Sequence, residues 1–175
     1  MSHTTEIKSI DHDAPENTVV QALAARGLTL AAAESCTGGL IAKRITDVAG
    51  ASRVFLGGVT AYTNAVKTSL VGVSTELIAE FGVVSAQVAQ ALAAGIRDRL
   101  GADLGIGVTG VAGPGPDDEG NPAGRVYVAL AAADGVTTQK LDLDYDRDHV
   151  RAMAASHALD MVRRWLDGEL EGDSL

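Results

Sequence analysis

The stretch "AAAESCTGGLIAKRI", residues 31–45, decides the fold. A run of small apolar residues ends in Ser35, Cys36 and Thr37, then two glycines, then apolar positions at helical spacing. Within "LTLAAAE" (28–34) a buried strand is read over 28–33. The spacing of Leu40, Ile41, Ile45 and Val48 predicts a helix over 37–49. A buried strand feeding a helix through glycines is the start of a βα unit.

Working outward, the same alternation recurs. A helix is expected from Ala14 to Arg26, capped by Asp13, with Pro15 in its first turn, Gly27 at its end, and Val19, Val20, Leu23 and Ala24 inward. "RVFLGGVTAY", 53–62, reads as a strand with a glycine-marked irregularity. Short helices follow over 64–72, capped by Asn64, and 74–82, capped by Ser74; a longer one, 86–100, is capped by Ser85 and ended by Gly101. "DLGIGVTG", 103–110, is an apolar strand, and "RVYVALAAADGVTTQKLDL", 125–143, is a hairpin turning at Asp134–Gly135. The last helix spans 147–166, with Val150, Ala154, His157, Met161 and Trp165 on one stripe. Alternating elements with a late hairpin predict an α/β fold: a three-layer α/β/α sandwich on a mixed, mostly parallel sheet. The expected organisation is a loose arm over 1–12, a single domain over 13–167 and a frayed acidic tail over 168–175.

Composition limits what the chain can do. It has 175 residues, 46% hydrophobic but only 3% aromatic, with 20 glycines. Its core is therefore built from small and aliphatic side chains, which suits close packing of helix on sheet. The net charge of −9 and the lack of any basic run beyond Arg163–Arg164 argue against direct nucleic-acid binding. One cysteine permits neither an internal disulfide nor a thiolate metal cage. No stretch has the length and apolarity to span a membrane, and residues 1–15 are too polar for a signal peptide, so a cytoplasmic location is the expectation. Alanine-rich helix faces leave room for a homo-oligomer, with a dimer as the expected form.

Three polar or glycine-rich segments end strands: "ESCTGG" (34–39), "TAYTNAVK" (60–67) and "VTGVAGPGP" (108–116). Ligands of open α/β sheets bind beyond such strand ends. In the first, the amides of Thr37, Gly38 and Gly39 would open a helix and could hold a phosphate or an oxyanion, with Ser35 placed to attack. The other reading makes Ser35 and Thr37 caps and the glycines packing devices. Cys36 is either a rival nucleophile with its pKa lowered at a helix start or a small buried residue. In the second segment, Lys67 lies in a first helical turn, where dipole and burial would lower its pKa and let it take a proton from a serine. Tyr62 could relay a proton. Alternatively Lys67 is a solvated charge and Tyr62 a core edge. In the third, Thr109, Gly110 and the loop behind them would wall a pocket or form a plain turn.

Elsewhere the signals are weaker. His149 and His157, two helical turns or about 12 Å apart, cannot share one metal ion, and Asp117, Asp118 and Glu119 read as solvated acids. No metal site is expected. Arg147, between Asp146 and Asp148, reads as an ion-pair partner.

Together, "AESCTGGLIAKRITDVAGAS" (33–52), "GGVTAYTNAVKTSLVGV" (57–73), "GVVSAQVAQALAAGIRDRLGADLGIGVTGVAGPG" (82–115) and "PAGRVYVALA" (122–131) resemble the CinA C-terminal domain, or PncC, family. The resemblance runs from about residue 14 to 166. It implies a five-stranded sheet with one antiparallel strand, and hydrolysis of the carboxamide of nicotinamide mononucleotide (NMN) to nicotinic acid mononucleotide and ammonia, without a metal or cofactor. It implies Ser35 as nucleophile, Lys67 as base and Tyr62 beside them. It sets Cys36, Thr37, Gly38 and Gly39 on one side of the substrate and Thr109, Gly110, Ala112 and Gly113 on the other. Many relatives carry this domain behind a larger N-terminal one; only a short arm precedes it here, so a stand-alone form is the expectation. A non-catalytic nucleotide-binding or protein-interaction module, suggested by the family's link to competence and DNA damage, is the alternative.

Overall fold

The computed structural model describes residues 15–170; the expected arm, and Asp13 as a cap, lie outside them. The chain runs α1 (Pro15–Arg26), β1 (Leu30–Glu34), α2 (Leu40–Thr46), β2 (Phe55–Thr60), α3 (Asn64–Val66), α4 (Thr75–Phe81), α5 (Ala86–Leu100), β3 (Leu104–Gly110), β4 (Arg125–Ala132), β5 (Gly135–Asp142) and α6 (Arg147–Leu166). Sheet order is β2-β1-β3-β4-β5. β1 pairs in parallel with β2 and β3, while β4 is antiparallel to both β3 and β5. Four strands therefore share one direction and β4 opposes them, so parallel and antiparallel pairings are equally frequent.

The two faces of the sheet are built from side chains of different size. Leu30, Leu104, Ile106, Val108, Val128 and Leu130 face α1, α2 and α6 in the main core. Ala31, Ala33, Ala129 and Ala131 alternate with them on the opposite face and pack against α5. On that face Gly105 and Gly107 leave no room for a methyl group. A Cβ at either would lie 2.2 Å from the carbonyl oxygen of Ala93 or Ala89. The abundance of small residues thus lets α5 lie directly on the strands.

Some boundaries differ from the sequence reading. α2 starts at Leu40 instead of 37, because Gly38 and Gly39 both have positive φ (60° and 95°) and turn the chain before the helix begins. Thr63, not Asn64, caps α3, its hydroxyl accepting from the Val66 amide at 3.3 Å. The helix then widens to a π-helical turn, Lys67–Val71. Ala132 pairs with Gly135, so the hairpin turns on Ala133–Asp134, one residue early. The buried face of α6 runs through Val150, Ala154, Ala155, Ala158, Leu159, Met161, Val162 and Leu166. His157 and Trp165 stand half-buried at its margin, and the Trp165 indole donates to the Asp134 carboxylate at 3.1 Å. Gly168 and Glu169, placed by sequence in the frayed tail, donate backbone hydrogen bonds to Trp165 and Arg164. No helix among the described residues is long and apolar enough to cross a membrane.

Candidate active site

β1 and β3 run parallel, so "ESCTGG" and "VTGVAGPGP" leave the sheet at the same edge. Ser35 continues β1, its amide donating to the Val108 carbonyl at 3.0 Å. The α3 segment brings Lys67 over from the end of β2. The Lys67 Nζ lies 3.1 Å from Ser35 Oγ and 3.5 Å from the Tyr62 carbonyl oxygen. Lys67 is 1% exposed, and among the described residues no carboxylate pairs with it. Burial holds its pKa below the ordinary value of 10.5. The cause is desolvation by burial.

These residues line a cleft of about 310 Å³ with Cys36, Tyr62, Asn64, Val83, Val84, Thr109, the 110–117 loop and Arg147. That volume suits a small metabolite. Cys36 borders the cleft as a poor nucleophile: burial pushes its thiol up to about 12. Thr109 is buried and donates its hydroxyl to the Val83 carbonyl at 2.7 Å, fixing the wall opposite. Tyr62 is 57% exposed. Its hydroxyl accepts from Arg147 Nη2 at 3.3 Å and makes no bond to Ser35 or Lys67. Its phenol stands with the cleft's arginine.

The start of α2 corrects the sequence reading most. Thr37, Gly38 and Gly39 do not line the cleft. The Gly38 amide donates to the Ser35 carbonyl at 3.0 Å. Glu34, 1% exposed, turns its carboxylate back onto the helix and accepts from Gly39 (3.1 Å), Ile41 (3.0 Å) and Ala42 (2.9 Å). A helix start that already holds an internal anion is no site for a substrate anion. Nor do Ser35 and Thr37 cap it. The N-cap is Gly39, with no side-chain cap of its own, and Thr37 Oγ1 is buried without a partner among the described residues.

Three contributors escape sequence reasoning. Glu34 is visible only as an acid just before the turn it closes. Arg151 donates to the carbonyls of Cys36 (3.2 Å) and Thr37 (3.1 Å), tying the turn to α6 from more than a hundred residues away. Arg147 reaches the Gly113 carbonyl at 2.7 Å and the Tyr62 hydroxyl. Its expected partner Asp146 instead caps α6 and pairs with His149. The 110–117 loop is held by Asp117, which accepts from Glu119 N, Asn121 N and Asn121 Nδ2. Among the described residues the amides of Cys36, Ala112, Gly113 and Gly115 find no protein acceptor.

The profile of the CinA C-terminal domain matches residues 12–166. The chain belongs to the CinA C-terminal domain family. It is 51% identical over 151 residues to a CinA-like protein of Acidobacterium capsulatum, covering 86% of this chain but 36% of that one. It is 44% identical over 162 residues to a putative competence-damage inducible protein of Caldanaerobacter subterraneus, covering 93% and 39%. The chain thus spans little more than a third of the curated relatives it matches. Solved structures match nearly end to end. A CinA superfamily protein of Klebsiella pneumoniae superposes with a TM-score of 0.85 at 32% identity, covering 88% of this chain and 96% of that one. A competence/damage inducible protein of Agrobacterium tumefaciens gives 0.81 at 37%, covering 87% and 95%. The CinA fold, five-stranded and mixed, is therefore the fold of this chain.

Proposed function

We propose that this CinA-family protein is an amidohydrolase that converts NMN to nicotinic acid mononucleotide and ammonia, with Ser35 as nucleophile and Lys67 as base. The observation that carries the reading is the 3.1 Å approach of a buried, unpaired lysine to a serine hydroxyl. A lysine kept neutral by burial can accept the serine proton, as in Ser–Lys hydrolases. The substrate follows from the resemblance of the four long motifs to PncC amidohydrolases.

In this mechanism Lys67 takes the hydroxyl proton as Ser35 Oγ bonds to the carboxamide carbon. The amides of Cys36, Ala112 and Gly113, free of protein acceptors, are the donors available for the oxyanion. Lys67 returns the proton to the departing nitrogen, the C–N bond breaks and ammonia leaves. Water, deprotonated by the same lysine, then attacks the acyl-Ser35 ester; Lys67 passes that proton to Ser35 Oγ as the ester bond breaks and the carboxylic acid leaves. Tyr62 shapes the mouth of the cleft through Arg147.

Purified protein incubated with NMN should release ammonia in step with nicotinic acid mononucleotide. A thermal shift with NMN and no ammonia would instead support the non-catalytic binding module.

A further inference from the structure

We propose that Arg147 binds the phosphate of the substrate, so that the cleft selects phosphorylated ligands over their dephosphorylated counterparts. The identity of the ligand rests on the amide-hydrolysis reading above; the choice of residue does not.

The argument begins with elimination. A protein of net charge −9 repels a phosphate dianion, so the site must supply local positive charge. The start of α2 is closed by Glu34. Among the side chains lining the cleft the cations are Lys67 and Arg147. Lys67 is buried against Ser35, and a dianion beside it would favour its protonated form and remove the base. The reacting end of the substrate must lie at Lys67 and the charged end away from it.

Arg147 meets the requirement. It is exposed, borders the cleft and always carries its charge. Both its recorded partners, the Gly113 carbonyl and the Tyr62 hydroxyl, are neutral. A guanidinium offers five N–H donors in a planar fork, so donors remain for a phosphate oxygen pair. The flanking Asp146 is occupied by His149. The one acid lining the cleft, Asp117, takes hydrogen bonds on both oxygens from its own loop. The unpartnered amide of Gly115 lies in the loop that Arg147 grips, and can add to the cradle.

The test uses binding of the reaction product, which needs no turnover. Nicotinic acid mononucleotide and nicotinic acid riboside are titrated calorimetrically into the wild-type protein, Arg147→Ala and Arg147→Lys. The mononucleotide should bind the wild type roughly 10- to 100-fold more tightly than the riboside. That ratio should collapse toward one in Arg147→Ala, return in part in Arg147→Lys, and shrink as salt rises. An equal loss of affinity for both ligands in the variants would show that Arg147 only holds Tyr62 and Gly113 in place, and would overturn the proposal. So would a wild type that does not distinguish the two. Preference for the mononucleotide without ammonia release would refute hydrolysis and leave the phosphate site standing. Ammonia release from NMN and nicotinamide riboside at equal kcat/KM would do the reverse.

Discussion

Two glycine-bearing turns leave the same edge of the sheet, and they behave in opposite ways. The turn at 35–39 is closed on itself. Glu34 takes the helix amides, Gly38 binds back to Ser35, and Arg151 holds the outer carbonyls. The 110–117 turn is held from its far side by Asp117 and Arg147 and keeps the amides of Ala112, Gly113 and Gly115 unoccupied. Glycine content is similar in both. What differs is whether an internal carboxylate has already claimed the amides. The first turn presents one hydroxyl rigidly, with the Cys36 amide beside it; the second offers a run of open donors.

Removing the group the closed turn presents should have the largest effect. Ser35→Ala and Lys67→Ala should each lower kcat for ammonia release from NMN by at least roughly a thousandfold, with far-ultraviolet circular dichroism unchanged for Ser35→Ala. Cys36→Ala should keep most of the activity, since its thiol stays protonated near neutral pH. Loss of activity in Cys36→Ala with retention in Ser35→Ala would move the nucleophile from Ser35 to Cys36.

The pH profile of kcat/KM sharpens the same point. The base works only when neutral, so the rate should climb as Lys67 loses its proton. Burial lowers its pKa, so the climb should level off below the 10.5 of an ordinary lysine. A rate still rising at that pH would mean that Lys67 is charged in the working protein.

Opening the closed turn comes next. Glu34→Ala leaves three helix amides without their acceptor, at a cost of about 2–4 kcal/mol. A domain of this size should lose roughly 5–15 °C in Tm, and formate, which can refill the vacancy, should restore part of it. An unchanged Tm would show that the turn does not depend on its carboxylate. Arg151→Ala removes two charge-assisted bonds to the same turn and should cost about 1–3 kcal/mol. Gly115→Ala in the open turn should matter least. Its φ is +80° but nothing lies within 4 Å of the added methyl, so about 1 kcal/mol of backbone strain is expected from a melt.

Much of this was legible in the sequence because it is local. The first strand, expected over 28–33 and found over Leu30–Glu34, the long helices 86–100 and 147–166, and the caps Ser74 and Ser85 all follow from spacing and side-chain chemistry within a few residues. The pair Ser35 and Lys67 was legible as two candidates; their approach across β1 and α3 required the fold. The start of α2 was misplaced because two glycines with positive φ look, in sequence, like flexible first-turn residues. Arg147 was hidden because two aspartates flank it, and sequence cannot show that one of them caps the helix while the arginine turns toward Tyr62 and Gly113. Glu34 and Arg151 act on backbone atoms, which carry no residue signature.

The indole of Trp165 gives the molecule a built-in optical probe. It is the only tryptophan in the chain, and it bonds to Asp134 at the hairpin turn. Eighteen residues separate it along α6 from Arg147, about 27 Å at the helical rise. Its fluorescence therefore reports whether the C-terminal end of α6 is docked, while a molecule in the cleft stays beyond quenching contact. Melting of the helix and occupancy of the cleft can be followed separately in one sample without a label.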